Sequence, residues 1–330
     1  MPNRRAHGLP VPLSHVAVTQ SVDRALEILG DRWTTLTVLG AFVGCRRFDH
    51  WRERLGISRS VLANRLRRLL TVGILLREPI EPGARRHGYR LTPMGLDLHG
   101  WALAIRHWEM SWTSVADDYP LFLRHRVCGS AFEPEFVCAA CDERVDAPDQ
   151  IQVANSGGGV RRAVSPVAGA RQRRSTITRD TAQGSFGYLF GECVEIVADR
   201  WSFLVIAAAF AGVTRFQALE GELGIASNIL SDRLRRLEEL GVLERQRYQA
   251  HPARYEYCLT ASGRDLYPML LMLSNWGDRW LWGRGGPWHS VIHRGCGHPL
   301  ELVTRCSACA GRLRPQDVRL EHAGIPIYGG

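Results

Sequence analysis

Two stretches of this 330-residue chain decide its fold: residues 55–75, LGISRSVLANRLRRLLTVGIL, and residues 223–243, LGIASNILSDRLRRLEELGVL. In each stretch a Leu-Gly step precedes a short polar segment, and leucines then recur three or four residues apart. That spacing places the leucines on one face of a helix. A glycine step before such a helix is typical of the turn between two packed helices. Each stretch therefore predicts a helix-turn-helix.

The two stretches belong to a longer internal repeat. A shift of 168 residues brings the halves into register without a gap over about 125 residues, so that Asp31-Arg32-Trp33 meets residues 199–201 and Trp108 meets Trp276. A repeat of this length indicates two copies of one module. We refer to residues 18–156 as copy 1 and to residues 186–330 as copy 2.

Each copy shows the same order of predicted elements. In copy 1, helices are expected over residues 22–29, 31–43, 48–55 and 58–72, strands near residues 74–76 and 89–91, and a long helix over residues 93–112. Helix-turn-helix followed by a hairpin is a winged helix-turn-helix. The expected fold is mainly α with small β wings (α+β). The predicted units are winged domains at 18–120 and 186–288, zinc-ribbon-like hairpins at 121–156 and 289–330, and a flexible linker at 157–185.

The chain resembles the HxlR-type branch of the MarR-like bacterial transcription regulators. The resemblance rests on RALEILGDRWTTLTVLGAFVGCRRF (24–48), the stretch at 55–75 and YRLTPMG (89–95), and on their counterparts in copy 2, DRWSFLVIAAAFAGVTRF (199–216) to YEYCLTASG (255–263). It implies a DNA-binding dimer that represses or activates nearby genes. Many members carry a redox cysteine where this chain has Gln20 and Tyr188, so a thiol sensor is not expected.

The face of the fourth helix opposite Leu62, Leu66 and Leu69 is predicted to enter the major groove of DNA, with the wing on the adjacent backbone. Side chains of this kind hydrogen-bond base edges or phosphates. The alternative is that these arginine-rich faces are only solvated. The predicted DNA contacts are Arg59, Ser60, Ala63, Asn64, Arg67, Arg68, Arg85, Arg86 and His87 in copy 1, and Ser227, Asn228, Ser231, Arg235, Arg236 and Arg254 in copy 2.

The charge favours an acidic partner, with nucleic acid ahead of a membrane surface. The chain has 42 Lys+Arg against 33 Asp+Glu, a formal net charge of +9. Over residues 21–113 we count 15 arginines and nine acids, and over residues 189–281 ten arginines and 12 acids. Asp232, which replaces Asn64, also repels phosphate. We therefore expect copy 1 to bind DNA more strongly, on an imperfect inverted repeat.

A His-x2-Cys-Gly-x8-Cys-x2-Cys pattern follows the long helix of each copy. Two short-spaced ligand pairs around a hairpin suit a tetrahedral structural zinc, so two zinc ions per chain are expected, one within each hairpin. A redox pair, a disulfide and buried thiols are the alternatives. Cys45, Cys193 and Cys258 have no counterpart and are expected to be fillers. The predicted ligands are His125, Cys128, Cys138 and Cys141, and His293, Cys296, Cys306 and Cys309.

The remaining segments concern how the copies are joined. A linker of about 29 residues spans roughly 30 Å, near the spacing of about 34–36 Å between operator half-sites. The first and last helices are expected to form the contact between the copies, and they can also line a pocket for a small-molecule effector.

The sequence thus predicts a cytoplasmic, sequence-specific regulator of transcription, expected to be a repressor, that acts as a single-chain pseudo-dimer on double-stranded DNA. Further homodimerisation stays open. The alternative is a zinc-organised protein-interaction adaptor whose second copy does not bind DNA. The longest apolar run has eleven residues, 203–213, short of the about 20 that a membrane span needs. No nucleotide loop or nucleophile motif suggests an enzyme.

Overall fold

The computed structural model of the protein describes residues 13–80, 86–114, 121–155, 191–282, 289–322 and 325–326. Within them each copy forms the helices and the two-stranded wing of a winged helix-turn-helix. The chain is mainly helical with small antiparallel sheets, so the predicted α+β class is confirmed. None of the described helices has both the length and the apolar character that crossing a bilayer requires.

Copy 1 begins with four helices, a hairpin and two further helices. These are α1 (Leu13–Leu29), α2 (Arg32–Phe42), α3 (Phe48–Leu55), α4 (Arg59–Thr71), β1 (Leu75–Pro79), β2 (His87–Leu91), α5 (Pro93–Leu96) and α6 (His99–Trp112). Short strands follow: β3 (Leu121–His125), β4 (Ala131–Phe132), β5 (Pro134–Cys138) and β6 (Ile151–Asn155). The first helix begins nine residues before the position that the apolar pattern predicts.

Copy 2 repeats this order. Its winged domain contains α7 (Gly191–Val197), α8 (Arg200–Phe210), α9 (Phe216–Leu223), α10 (Ser227–Glu239), β7 (Leu243–Gln249), β8 (Arg254–Leu259), α11 (Ala261–Arg264) and α12 (Tyr267–Trp280). The strands that follow are β9 (His289–His293), β10 (Leu302–Cys306), β11 (Val318–His322) and β12 (Ile325–Pro326). The segment that we interpreted as a linker lies outside the described residues.

In each copy, the turn before α4 or α10 depends on a glycine in the left-handed region. Gly56 has φ 62° and Gly224 has φ 60°, a conformation that other residues adopt with strain. Ser58 then caps α4 by accepting a hydrogen bond from the Val61 amide at 3.4 Å, whereas Ala226 begins α10 without a side-chain cap. The turn that defines the fold is thus encoded by the glycine.

The long helix predicted after each wing is wrong in one respect: it is broken into two. Thr92 caps the short α5, and the chain then steps to α6 after Asp97 and Leu98. A Cβ on Gly95 would lie 2.3 Å from the carbonyl oxygen of Ile74, so the first turn packs directly on the backbone beside the wing. The same break separates α11 from α12. This close packing redirects the chain, which periodicity does not reveal.

The copies pack through their first and last helices, as the sequence predicts. Helix α1 lies against α12 and α8, and α6 lies against α12 and α7. The indole nitrogen of Trp108 donates to the carbonyl of Ser262 at 2.8 Å, and that of Trp276 donates to the carbonyl of Met94 at 2.9 Å. These two bonds join the equivalent positions of the two copies, which indicates a pseudo-twofold arrangement.

The strands after the winged domains are exchanged between the copies. Strand β6 pairs antiparallel with β9, β11 pairs with β3, and β10 pairs with β5. The terminal strands β6 and β11 of the two copies both take part in this pairing. The prediction that each hairpin is a unit within one copy is wrong, because each sheet takes strands from both copies. We call residues 121–155 ribbon 1 and residues 289–326 ribbon 2.

Candidate DNA interface and metal clusters

Helix α4 has one buried face and one exposed face. Leu62, Leu66 and Leu69 are buried, and the opposite face is open to solvent over Ser60, Asn64 and Arg67. Arg59 is also exposed, and its guanidinium lies 5.6 Å from the centre of the Phe48 ring on α3. Ala63 is half-buried. The structure therefore places the predicted copy 1 helix residues on or beside one accessible surface.

An ion pair that the sequence analysis missed fixes this helix to α2. Asp31 caps α2 by accepting from the Thr34 amide at 3.1 Å, and it also pairs with the Arg65 Nε at 2.9 Å. Copy 2 repeats the pair between Asp199 and Arg233 at 2.7 Å. Both residues of the pair are present in both copies, and this repetition is the sequence signal that could have revealed the ion pair. Arg65 and its counterpart thus orient the helix.

The arginines toward the end of each helix face the first helix of their own copy. Arg68 donates to the carbonyl oxygen of Glu27 on α1. In copy 2, Arg236 pairs with Glu195 on α7 and, at 3.2 Å, with Glu239. These two predicted DNA contacts are exposed but are already held by protein groups.

The exposed face of α10 differs from that of α4 in charge. Ser227, Asn228, Ser231 and Arg235 are exposed there. Asp232 accepts from Arg233 at 2.6 Å and pairs with Arg235 at 2.8 Å, so the arginine on this face is neutralised. Among the residues that the structure describes, Arg67, the counterpart of Arg235, has no such carboxylate.

The wing of each copy exposes arginine side chains, with a histidine beside them in copy 1. Arg86 and His87 are exposed at the start of β2, and Arg254 is exposed at the start of β8. The predicted contact Arg85 lies outside the described residues. The wing strands of copy 2 are longer than those of copy 1, and the turn between them contains a cis peptide bond between His251 and Pro252.

All eight predicted metal ligands come together, but in clusters that cross the copies. One cluster consists of His125, Cys128, Cys306 and Cys309, and the other of Cys138, Cys141, His293 and Cys296. The prediction that each set of four comes from one copy is therefore wrong. Strand exchange explains the difference, because the pairing of β10 with β5 and of β11 with β3 carries each Cys-x2-Cys pair to the His-x2-Cys pair of the other copy.

Each ligand pair sits on a similar tight turn. The amide of Gly129 donates to the carbonyl of His125 at 2.8 Å, and the amide of Asp142 donates to that of Cys138 at 2.9 Å. Gly297 and Ala310 make the equivalent bonds in ribbon 2. All four residues that close these turns have positive φ, between 55° and 75°. The turns hold both side chains of a pair toward one point.

The spacing of the ligand atoms fits a tetrahedral metal. The Nδ1 of His125 lies 3.4 Å from the Cys128 Sγ and 3.3 Å from the Cys309 Sγ. The sulfurs of Cys138 and Cys296 are 3.9 Å apart. Zinc bonds of about 2.3 Å to sulfur and about 2.0 Å to nitrogen separate tetrahedral ligand atoms by about 3.5–3.8 Å. Three cysteines and one histidine are an ordinary zinc set.

Backbone hydrogen bonds lower the pKa of two of the cluster thiols. Hydrogen bonding from the Ser130 backbone lowers the pKa of Cys128 to about 6, and the His298 backbone lowers that of Cys296 to about 6. The thiolate is the form that binds metal. Cys45 and Cys193, by contrast, are buried, and burial raises their pKa, as expected for fillers.

Known proteins resemble each winged domain. A family model described as HxlR-like helix-turn-helix matches residues 28–117 and 196–284, more than half of the chain. An HTH-type transcriptional regulator of Mycobacterium tuberculosis, itself uncharacterised, is 40% identical over 135 residues, which cover 41% of this chain and 85% of the relative. The uncharacterised regulator YvaP of Bacillus subtilis is 36% identical over 93 residues, 28% of this chain and 86% of its own.

Solved structures also match. A Pseudomonas aeruginosa protein proposed to be a transcription factor is 34% identical and covers 37% of this chain and 82% of its own, with a TM-score of 0.30. The assignment rests on the family match, which falls on both copies. The family consists of transcription regulators, not enzymes. This chain belongs to the HxlR-like helix-turn-helix family and is a DNA-binding regulator of transcription with two copies of the family domain.

Proposed function

We propose that one chain acts as a pseudo-dimeric repressor, with α4 and α10 in successive major grooves of an imperfect inverted repeat in cytoplasmic DNA. A symmetric dimer of winged domains reads two half-sites about 34–36 Å apart. Here the second domain is supplied by the same chain, and contacts between α1 and α12 and between α6 and α7 hold the two together. The copies therefore occupy both half-sites without a second molecule.

The observation that carries this proposal is the pair of equivalent exposed helix faces, in which Arg67 is available and Arg235 is neutralised by Asp232. An arginine that must leave a carboxylate gains less on binding phosphate or guanine than one that leaves only water. Copy 1 is therefore the stronger reader, and copy 2 supplies weaker contacts of different specificity.

The first prediction compares Arg67→Ala with Arg235→Ala. Loss of a direct DNA contact costs about 1–3 kcal/mol, so Arg67→Ala should weaken binding about tenfold or more, and Arg235→Ala by less than about threefold. The measurement is fluorescence anisotropy on DNA from the promoter of the gene's own locus, at several salt concentrations. Phosphate contacts also make the affinity fall with salt.

The control is Arg144→Ala, an exposed arginine of ribbon 1, which should leave the affinity unchanged. Equal losses for Arg67→Ala and Arg235→Ala would contradict the difference between the copies. A lack of salt-dependent binding to this DNA would instead favour the protein-interaction adaptor.

We also propose that the two clusters bind zinc, two ions per chain, each held by one ligand pair from each copy. The donor set and the ligand spacing support this assignment, and a closed set of four ligands leaves no position for catalysis. A metal held this way fastens the two ribbons to each other, so metal binding contributes to the stability of the whole assembly.

The second prediction distinguishes clusters that cross the copies from clusters within them. Cys128→Ser with Cys309→Ser damages one cross-copy cluster and should leave about one zinc per chain after competition with a chelator. Cys128→Ser with Cys141→Ser damages both clusters and should leave almost none. Elemental analysis of the purified protein gives the counts.

If each copy held its own metal, these two double variants would exchange their results, because Cys128 and Cys141 would then share a site. A wild-type protein without zinc would exclude the zinc proposal, whichever variants were compared. The single thiol variant Cys258→Ser, outside both clusters, is the control and should keep two ions.

A further inference from the structure

A cavity lies where copy 1 meets ribbon 2. It has a volume of about 240 Å³ and is walled by α2 and α6 of copy 1, by β3 of ribbon 1 and by the segment 315–320 of ribbon 2. Most of its wall is apolar, with Leu39, Phe42, Ala102, Leu103, Leu123 and Leu320 among the lining residues. Small-molecule sites are concave and mostly apolar, with a few polar groups that orient the ligand.

The charged groups of this cavity are cationic. Arg46, Arg106, Arg126 and Arg319 line it, and no aspartate or glutamate does so among the described residues. Arg106 is only 4% exposed and pairs with Glu133 at 3.3 Å. The Nε of Arg319 is buried and has no hydrogen-bond acceptor within the described part of the chain. Arg319 as a whole is half-buried, and Arg46 and Arg126 are exposed. A group of cations around an apolar space favours an anion that can accept their hydrogen bonds.

The aromatic end of the cavity is uncharged. Burial lowers the pKa of His99 to about 4, so its imidazole is neutral near pH 7. Its ring centre lies 5.5 Å from that of Phe42. An apolar ring or chain can pack here while its charged group faces the arginines.

Copy 2 offers an internal comparison, because two positions of the equivalent wall carry larger side chains there, while Ala207 stands in place of Leu39. Leu270 stands where copy 1 has Ala102, and Tyr267 stands where copy 1 has His99. Tyr267 is buried, and its ring centre lies 4.9 Å from that of Phe210. Both larger side chains belong to α12, the counterpart of the α6 wall in copy 1.

Copy 2 also lacks most of the charge. Thr214 and Ser274 replace Arg46 and Arg106. On the exchanged strand, Gln152 takes the place of Arg319. In the strand register Arg319 lies opposite Arg124, and Gln152 lies opposite Ile292, the counterpart of Arg124. Two larger side chains and fewer arginines therefore distinguish this part of copy 2 from copy 1.

We propose that this cavity binds a small organic anion, a carboxylate on an apolar ring or chain, and that the bound anion is the effector of the regulator. The effector role rests on the proposed DNA-binding function, whereas the binding site does not. The carboxylate accepts hydrogen bonds from the arginines, and the apolar part packs between Leu39, Phe42 and Leu123.

The position of the cavity connects it to the DNA-facing helix. One wall is α2, whose N-terminal Asp31 pairs with Arg65 of α4. The opposite wall includes residues 318–320 of β11, which belongs to copy 2. An anion between them favours one spacing of copy 1 from ribbon 2. The same coupling acts in both directions, so DNA changes anion affinity by the factor by which the anion changes DNA affinity.

Calorimetric titration of the full chain with benzoate and 1-naphthoate tests the site, and 1-naphthalenemethanol serves as the uncharged probe. We expect 1-naphthoate to bind with a stoichiometry of one and at least tenfold more tightly than the alcohol. Arg319→Gln and Ala102→Leu introduce the side chains of copy 2, and each should weaken binding at least tenfold. Gln152→Ala, at the position equivalent to Arg319, should leave binding unchanged.

Arg67→Ala distinguishes the two proposals, because it should bind DNA at least about tenfold more weakly and still bind 1-naphthoate with the wild-type affinity. No binding of either carboxylate, equal binding of the alcohol, or full affinity in Arg319→Gln would overturn the site. Thermal unfolding establishes that Ala102→Leu is folded, and Arg319→Gln decides the matter if it is not. Anion binding that leaves the DNA affinity of the wild-type chain unchanged would overturn the effector role.

Discussion

Glu109 shows how a single buried side chain joins the copies. It lies on α6 of copy 1 and is fully buried, and its carboxylate accepts from the backbone amides of Glu192 at 3.1 Å and Cys193 at 2.7 Å. Those amides belong to the first turn of α7, in copy 2, where backbone donors lack partners within the helix. A carboxylate is also favoured at this end of a helix. Glu109 therefore caps a helix of the other copy.

We predict that Glu109→Ala lowers the free energy of unfolding by about 2 kcal/mol, since it leaves two buried amides without an acceptor. Glu109→Gln keeps one acceptor oxygen and should lose less. Burial raises the pKa of Glu109 above its usual 4.5, so the folded state favours the protonated form. The free energy of unfolding of the wild-type chain, relative to that of Glu109→Gln, should therefore be highest at acid pH. This difference should decline as the pH rises through the raised pKa. Urea unfolding of both variants across that range measures this, and a difference that grows with pH would contradict it.

At the scale of the element, the sequence predicts a helix correctly where residues within or beside that helix determine its boundaries. The helix at residues 48–55 and the start of the helix after Ser58 occur as the sequence predicts, because Gly56 and Ser58 determine those boundaries through their own backbone and side chain. Leucine periodicity likewise identified the buried face of α4. These features depend on residues only a few positions apart.

Features that depend on distant segments were not predictable in the same way. The strand at residues 318–320 has the same pattern whether it pairs with its own hairpin or with β3, so the sequence could not identify its partner. The predicted grouping of the metal ligands is wrong for the same reason. The cavity could not be found either, because its wall combines α2 with residues from the far end of the chain.

At the scale of the whole molecule, neither copy is complete without the other. The sheets of the ribbons contain strands from both copies, and each Cys/His cluster contains residues from both copies. The hydrogen bonds of Trp108 and Trp276 also cross the interface. Residues 1–160 and 186–330, expressed together as separate chains, should therefore purify as a one-to-one complex through a tag on only one of them. Size-exclusion chromatography with light scattering gives the composition.

The same tag should still recover the partner when the tagged half carries Arg67→Ala, because that residue lies on the exposed face of α4. Recovery of two independent halves, each with its own bound metal, would contradict strand exchange. A lone half should expose unpaired strand edges and aggregate, since such edges pair readily with other chains.

The exchanged ligands also affect the order of events while the ribosome makes the protein. Cys138 and Cys141 emerge well before Cys296, and His125 and Cys128 well before Cys309. At about 5–20 residues per second, the earlier thiols wait roughly 10–35 s for their partners. During synthesis these nascent thiols are open to oxidation and to competing metals, so on the proposed zinc assignment we expect maturation to depend on a reducing environment until residue 309 has been translated.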